Sequence, residues 1–91
     1  MIFVMALNFP NCSRSYDTTK QRIRFWGYDD ALEISFFIED AALDQLAPAM
    51  RRDEAGCLQS FDINRTRILE VASQRYSRSR GPAYVLVASD F

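Results

Sequence analysis

The clearest pattern in the chain is an alternation of apolar and polar side chains across residues 21–39, through "RIRFWGY" and then "ALEISFFI". Alternation with a period of two, rich in aromatic and β-branched residues, is typical of β-strands. The intervening pair Asp29-Asp30 suits a tight turn because aspartate tolerates left-handed backbone conformations. The pattern therefore predicts a β-hairpin with a two-residue loop. The predicted cross-strand pairs are Tyr28–Ala31, Trp26–Glu33 and Arg24–Ser35.

Helical spacing replaces the alternation after residue 38. Glu39 and Asp40 supply negative charge, which stabilises the N-terminus of a helix. The segment "DAALDQLA" then predicts a short helix that Pro48 ends, because proline cannot continue the hydrogen-bond ladder.

A second helical pattern is longer. Asp53 is the predicted N-cap of a helix from about Glu54 to Ser79, and Gly81 followed by Pro82 ends it. Its apolar stripe consists of Leu58, Phe61, Ile68, Leu69, Ala72 and Tyr76. One cation, Arg65, interrupts this stripe.

The remaining segments complete the expected fold. "AYVLVA" at residues 83–88 predicts a C-terminal strand, whereas residues 8–19 have loop composition, with a short leading strand at Leu7 and Phe9 as a further expectation. The predicted order is β-β-α-α-β. We expect an α+β domain of two layers: a small antiparallel β-sheet, formed by the hairpin and the C-terminal strand, with one short and one long helix on one face.

The length of 91 residues fits one domain, 1–91. The first segment, "MIFVMAL", is too short to cross a bilayer and lacks the features of a signal peptide, so no membrane partner is expected. Because a second methionine follows at Met5, we expect residues 1–4 to be a loosely held extension from an upstream start codon.

Charge and composition narrow the chemistry. The net charge of −1 gives no overall attraction to nucleic acid. The chain has no histidine, which removes the commonest general base and metal ligand. Cys12 and Cys57 lack metal-type spacing, and free thiols in a reducing cytoplasm are expected, although a disulfide between them stays open. We expect no metal, no cofactor and no catalytic residue.

Several short segments resemble a known family. They are "LNFPN", "SYD", "RIRFWG", "LEISFFI", "FDINRTRI" and the final "DF". From Met5 onward, the chain resembles the small bacterial family called domain of unknown function 1488. The resemblance implies a compact α+β domain. It implies no activity, cofactor, partner or catalytic residue.

Arg65 raises the question of why a permanent cation lies within an apolar stripe. In one interpretation it is a structural clamp, whose guanidinium reaches Asp62 one turn earlier or an acidic residue at the start of the first helix, Glu39 or Asp40. The alternative is an anion site, in which Arg65 binds a carboxylate or phosphate with Tyr76 nearby. The clamp is favoured because Asp62 would compete for the guanidinium.

The outward side of the hairpin mixes basic and aromatic residues. The interface candidates are Arg22, Arg24, Trp26, Tyr28 and Phe37. Such residues are enriched at protein interfaces, and on a sheet they can also stack nucleobases. A third interpretation is intramolecular cover, by the N-terminal loop or by arginine side chains stacked on Trp26.

These observations favour a cytoplasmic, non-enzymatic bacterial domain that acts through protein contact, as a homodimer or with another protein. Weak nucleic-acid binding is one alternative, through the hairpin and the basic run Arg75–Arg80, although a helix C-terminus favours such cations anyway. A small anion-binding or ligand-binding domain around Arg65 is the other.

Overall fold

The computed structural model describes residues 7–10, 12–46, 53–76 and 83–91, and within them the chain forms five strands and three α-helices. The strands are β1 (Leu7–Asn8), β2 (Arg14–Asp17), β3 (Arg22–Asp29), β4 (Leu32–Glu39) and β5 (Ala83–Leu86). The helices are α1 (Asp40–Leu46), α2 (Glu54–Ile63) and α3 (Arg65–Arg75), and a short 3-10 helix follows at Ala88–Asp90. The predicted α+β fold is confirmed. The predictions for residues 1–4, Pro48 and residues 77–82 lie outside the described residues.

The sheet is mixed rather than purely antiparallel. β3 and β4 form its antiparallel centre, and β1 and β2 both pair antiparallel with the outer edge of β3. β5 pairs with β4 but runs parallel to it, which differs from the predicted arrangement. A parallel partner requires a long crossover connection, and the helical segments between β4 and β5 provide it.

The hairpin turn lies one residue later than predicted. Asp29 belongs to β3 and pairs with Leu32, so the loop is Asp30-Ala31, and Asp30 takes the left-handed conformation with φ of 55°. The observed pairs are Tyr28–Glu33, Trp26–Ser35 and Arg24–Phe37, which corrects all three predicted pairs. Because the register shifts by two residues, every side chain stays on its predicted face. Leu32, at the turn end, is nevertheless 51% exposed.

Two strands precede the hairpin. The expected leading strand is confirmed at Leu7–Asn8, although it is only two residues long. β2, "RSYD", was expected to be a loop, and that prediction is wrong. The strand has a polar composition and is held by backbone pairing with β3, a long-range contact that local sequence patterns do not show.

The predicted long helix is two helices. Asp53 caps α2 as predicted, accepting a hydrogen bond from the backbone N–H of Gly56 at 2.8 Å. The helix breaks at Asn64, whose side-chain Nδ2 donates to the Ser60 carbonyl oxygen at 2.9 Å. Asparagine side chains compete in this way with helical backbone bonds, so α3 begins as a separate helix at Arg65.

The core lies between the helices and one face of the sheet, which we call the inner face. Phe25 and Phe36 stack there with ring centroids 5.3 Å apart, and Phe61 of α2 approaches Phe25 at 5.1 Å. Phe9 covers Gly27: a Cβ added at Gly27 would lie 2.7 Å from the Asn8 carbonyl oxygen and 2.8 Å from the Phe9 ring. Gly27 therefore allows the N-terminal segment to close onto the sheet.

Candidate interaction face of the sheet

The side of β3 and β4 that points away from the core forms a second face, which we call the outer face. It consists of Arg22, Arg24, Trp26, Tyr28, Glu33, Ser35, Phe37 and Glu39. All five predicted interface candidates lie on it. Each is partly exposed, in contrast to the buried inner residues that alternate with them.

Arg24 lies flat across the middle of the outer face. Its guanidinium carbon is 4.5 Å from the Trp26 ring centroid. Its Nη2 donates to Glu33 Oε2 and to the Ser35 hydroxyl, both at 3.1 Å. Glu33 Oε1 also accepts a long hydrogen bond of 3.5 Å from the Tyr28 hydroxyl. The charge of Arg24 is thus paired within the molecule, and its guanidinium covers part of Trp26.

Arg22 behaves differently. Its guanidinium carbon lies 3.9 Å from the Phe37 ring centroid, and its Nε is buried without a hydrogen-bond partner. Glu39 is its direct cross-strand partner, yet no ion pair joins the two side chains. Within the described part of the chain, Arg22 and Glu39 are therefore oppositely charged cross-strand neighbours whose side chains form no ion pair.

The neighbouring strand adds a further negative charge. Asp17 of β2 pairs with Arg22 across the sheet, but its Oδ1 accepts hydrogen bonds from the backbone N–H groups of Thr19 and Lys20. Two arginines therefore share the outer surface with three carboxylates, those of Asp17, Glu33 and Glu39. Such a balance does not create the positive field that phosphate backbones require.

Arg65 and Asp62 do lie together, with Arg65 Nη2 3.5 Å from Asp62 Oδ1. The same nitrogen donates to the Cys12 carbonyl oxygen at 2.8 Å, and the guanidinium carbon lies 4.8 Å from the Phe61 ring centroid. The main partner of Asp62 is Arg14, which donates to both carboxylate oxygens at 2.9 and 2.8 Å. These contacts join α2 and α3 to the segment that leads into β2.

The Arg14–Asp62 pair is electrostatically favourable. The hydrogen bonds from Arg14 hold the pKa of Asp62 below its ordinary value, with a smaller contribution from Arg65. The hydrogen bond to Asp62 likewise raises the pKa of Arg14. Sequence reasoning missed Arg14, because the contact spans 48 positions and β2 was not predicted.

Tyr76 does not join the Arg65 cluster. It follows the last residue of α3, so about 16 Å of helix separates it from Arg65. Its hydroxyl instead donates to Asp29 Oδ2 at 2.5 Å. Asp29, expected in a turn, is 3% exposed on the inner face. Tyr76 therefore ties α3 to the turn end of the hairpin.

A third polar cluster joins β2, α1 and α2. Asp40 accepts hydrogen bonds from the Tyr16 hydroxyl at 3.1 Å and from the Cys57 thiol at 3.6 Å. Burial, together with the carboxylate, raises the pKa of Tyr16 to about 12 and that of Cys57 to about 11. Cys57 is thus a protonated packing thiol, and neither it nor the exposed Cys12 forms a disulfide.

Arg75, the first residue of the predicted basic run, also has an internal partner. Its Nη1 donates to both oxygens of Asp90, at 2.8 and 2.7 Å. Asp90 further accepts a hydrogen bond from the backbone N–H of Val87. Arg75 therefore connects α3 with the C-terminal 3-10 helix. Arg78 and Arg80 lie outside the described residues.

The described residues contain neither a membrane-spanning helix nor a cluster of metal-binding side chains. No helix among them combines the length and the apolar character of a membrane span. Nor do they bring three or more carboxylate or thiol side chains together in an arrangement that could hold a metal ion.

Comparison with known proteins places the chain in a family. Residues 7–86 match the family described as "Protein of unknown function (DUF1488)". The fold is similar to the crystal structure of a DUF1488 protein of unknown function from Shewanella loihica PV-4, with a TM-score of 0.72 and 16% identity over 92% of this chain and 94% of that one. No curated protein matches the sequence. The match over residues 7–86 shows that the chain belongs to the DUF1488 family.

Proposed function

We propose that this domain acts through protein contact and that the outer face of its sheet is the contact surface. The observation that carries the proposal is a partly exposed layer of aromatic rings and arginines on the side of the sheet opposite the helices. Tryptophan, tyrosine and arginine are the residues that most often dominate the binding energy of protein interfaces.

The charges of the outer face favour a protein over a nucleic acid. Arg24 is already bound to Glu33 and Ser35 and lies over Trp26, so a base could stack on that ring only after displacing the arginine. The carboxylates of Asp17 and Glu39 flank Arg22 and would repel phosphates. A protein surface carrying both signs fits this pattern better.

The internal contacts of the polar clusters favour binding over catalysis. The Cys57 thiol has a pKa of about 11 and donates to Asp40, so at neutral pH it is not a nucleophilic thiolate. The Arg65 guanidinium is directed to the Cys12 carbonyl and to Asp62, which argues against the anion-site alternative. A cytoplasmic location, which suits two cysteines that form no disulfide, belongs to the same proposal.

Site-specific photocrosslinking in cells tests the contact surface. Benzoylphenylalanine at Tyr28 keeps an aromatic ring on the outer face, and the same probe at Gln74, exposed on α3, is the matched control. We expect a discrete protein adduct from position 28 and not from position 74. Adding Trp26→Glu should remove the adduct.

Three outcomes would contradict the proposal. Equal adducts from both positions, or none from position 28, would show that the outer face has no privileged protein contact. An adduct that loses its added mass on nuclease treatment would favour the nucleic-acid alternative.

A further inference from the structure

We propose that the partner on the outer face is a second copy of this chain, held by two reciprocal ion pairs between Arg22 of one copy and Glu39 of the other. This inference rests on the proposed function, since it names the occupant of the same surface. It follows from two oppositely charged side chains that form no ion pair within the single chain.

In the single chain, the side chains of Arg22 and Glu39 are not paired with each other. They are directly opposite in the register of β3 and β4 but form no ion pair with each other. In the part of the chain that the structure describes, the Glu39 carboxylate has no hydrogen bond or ion pair, and the Arg22 guanidinium has only its contact with the Phe37 ring, at 3.9 Å. The Arg22 Nε, buried and unbonded, lacks an acceptor.

The other charges on this surface are occupied. Arg24 binds Glu33 at 3.1 Å, and Asp17 caps the turn that follows it through the N–H groups of Thr19 and Lys20. Among the described residues of this surface, a partner therefore meets one available cation and one available anion on neighbouring strands. Adjacent strands are about 5 Å apart, so the two charged side chains start from neighbouring backbone positions at one end of the face.

A dipole of this kind complements its own copy. A two-fold axis that passes between Arg22 and Glu39 turns the pair around and brings each charge against its opposite in the second copy. Such an isologous contact makes both pairs at once, which is the usual geometry of homodimers. A partner with charge of one sign would satisfy one of the two residues and repel the other.

The same contact would cover the aromatic layer. Phe37 lies beneath the Arg22 guanidinium and beside Val85 of β5. Trp26 is the next outward residue on β3 after Arg24, the cross-strand partner of Phe37. A second copy would exclude water from these rings.

The size of the face sets the expected strength. Four outward positions along β3 cover about 20 Å, and four adjacent strands cover about 15 Å, so the footprint is roughly 300 Å² on each copy. A standard interface buries about 800 Å² per partner. We therefore expect a weak dimer whose population rises across the micromolar range of protein concentration.

Mixing two single variants tests the reciprocal pairs. In Arg22→Glu both positions are acidic, and in Glu39→Arg both are basic, so each variant alone should weaken dimerisation at least tenfold, measured by sedimentation velocity. An equimolar mixture should form heterodimers with an affinity within about threefold of the wild type, because both ion pairs are restored between copies. A pair within one chain cannot be rescued by mixing.

Controls separate folding from pairing. Circular dichroism and thermal melting check that each variant folds, and the neutral variants Arg22→Gln and Glu39→Gln replace any that does not. With the neutral variants, each alone should lower the association constant, and added salt should weaken the wild-type dimer but not theirs.

Three results would overturn this inference. They are a wild-type monomer at high micromolar concentration, single variants that dimerise as the wild type does, and a mixture that shows no rescue. If the Tyr28 probe still crosslinks to a different protein in any of these cases, the contact-surface proposal stands and only the second copy is excluded. If no adduct forms, both fail.

Discussion

The two faces of β3 and β4 are formed by alternate residues of the same two strands, yet the two faces have different roles. On the inner face, Phe25 and Phe36 are fully buried against the helices. On the outer face, Arg22 and Arg24 lie over aromatic rings and the side chains keep part of their surface in water. Burial of apolar area is what stabilises a domain of this size, so the inner face determines the fold. The outer face contributes less to stability, and its residues can therefore serve contact.

The neighbouring residues Phe36 and Phe37 give the largest test of this contrast. Phe36→Ala should lower the free energy of unfolding by about 3–5 kcal/mol, because it opens a cavity in the core. Phe37→Ala should lower it by about 1 kcal/mol or less, since the ring is only partly buried beneath Arg22. Denaturant unfolding in dilute protein measures both, and equal losses would contradict the division of roles.

Gly27 tests how tightly the inner face is closed. Gly27→Ala should cost about 2–3 kcal/mol, because the new methyl group collides with the Asn8 carbonyl and the Phe9 ring. The penalty should shrink in a Phe9→Ala background, which removes the ring. An unchanged penalty in both backgrounds would show that the ring is not the obstacle.

Matched tyrosine variants compare polar contacts on the two faces. Tyr76→Phe should cost about 1–2 kcal/mol, because it takes a hydrogen bond from the buried carboxylate of Asp29. Tyr28→Phe should cost less than about 0.5 kcal/mol, since its bond to Glu33 is long and exposed. Equal values in thermal or denaturant unfolding would contradict this ranking.

Matched arginine variants compare the contribution to stability of a largely buried arginine with that of an exposed one. Arg65→Leu should lower the free energy of unfolding by about 1 kcal/mol, since its side chain is only 20% exposed and binds the Cys12 carbonyl. Arg24→Leu should change it by less, because its pair with Glu33 is exposed on both sides. No loss in Arg65→Leu would contradict the clamp interpretation.

The smallest expected effect is on acid stability. The pKa of Asp62 is lower in the folded chain than its ordinary value of 3.8, so its contribution is present above about pH 4 and is lost as the pH falls through the folded-state pKa. Arg14→Leu should remove the larger part of this contribution, under about 1 kcal/mol for an exposed pair, and flatten the acid side of the stability curve. Arg67→Leu, exposed on α3, is the control and should keep the wild-type slope.

The sequence was most informative where a single local pattern decided the outcome. The alternation in "RIRFWGY" assigns Phe25 to the core and Trp26 to the outer face, and a register error of two residues leaves that assignment unchanged. The N-cap role of Asp53 was predictable for the same reason, since a cap depends on residues within one turn.

Prediction from the sequence failed where contacts between distant segments determine the position of a residue. Asp29 has turn chemistry, but Tyr76, far along the chain, provides the partner that lets it be buried in a strand. Asp62 was assigned to Arg65 from local spacing, and only the pairing of β2 brings in its main partner, Arg14. Asn64 carried a local signal, because asparagine within a helical pattern favours competing side-chain bonds, and it was overlooked.

The parallel pairing of β5 has a consequence for how the chain folds. The hairpin joins near neighbours and can form quickly, but Ser35 must wait for Ala83, about 50 residues further on, before the sheet gains its last strand. During synthesis, the β4 edge and the core beneath it stay incomplete until the three helices have left the ribosome. We therefore expect the order of folding to be the hairpin first and β5 last, with the open β4 edge as the part of the nascent chain most exposed to misassociation.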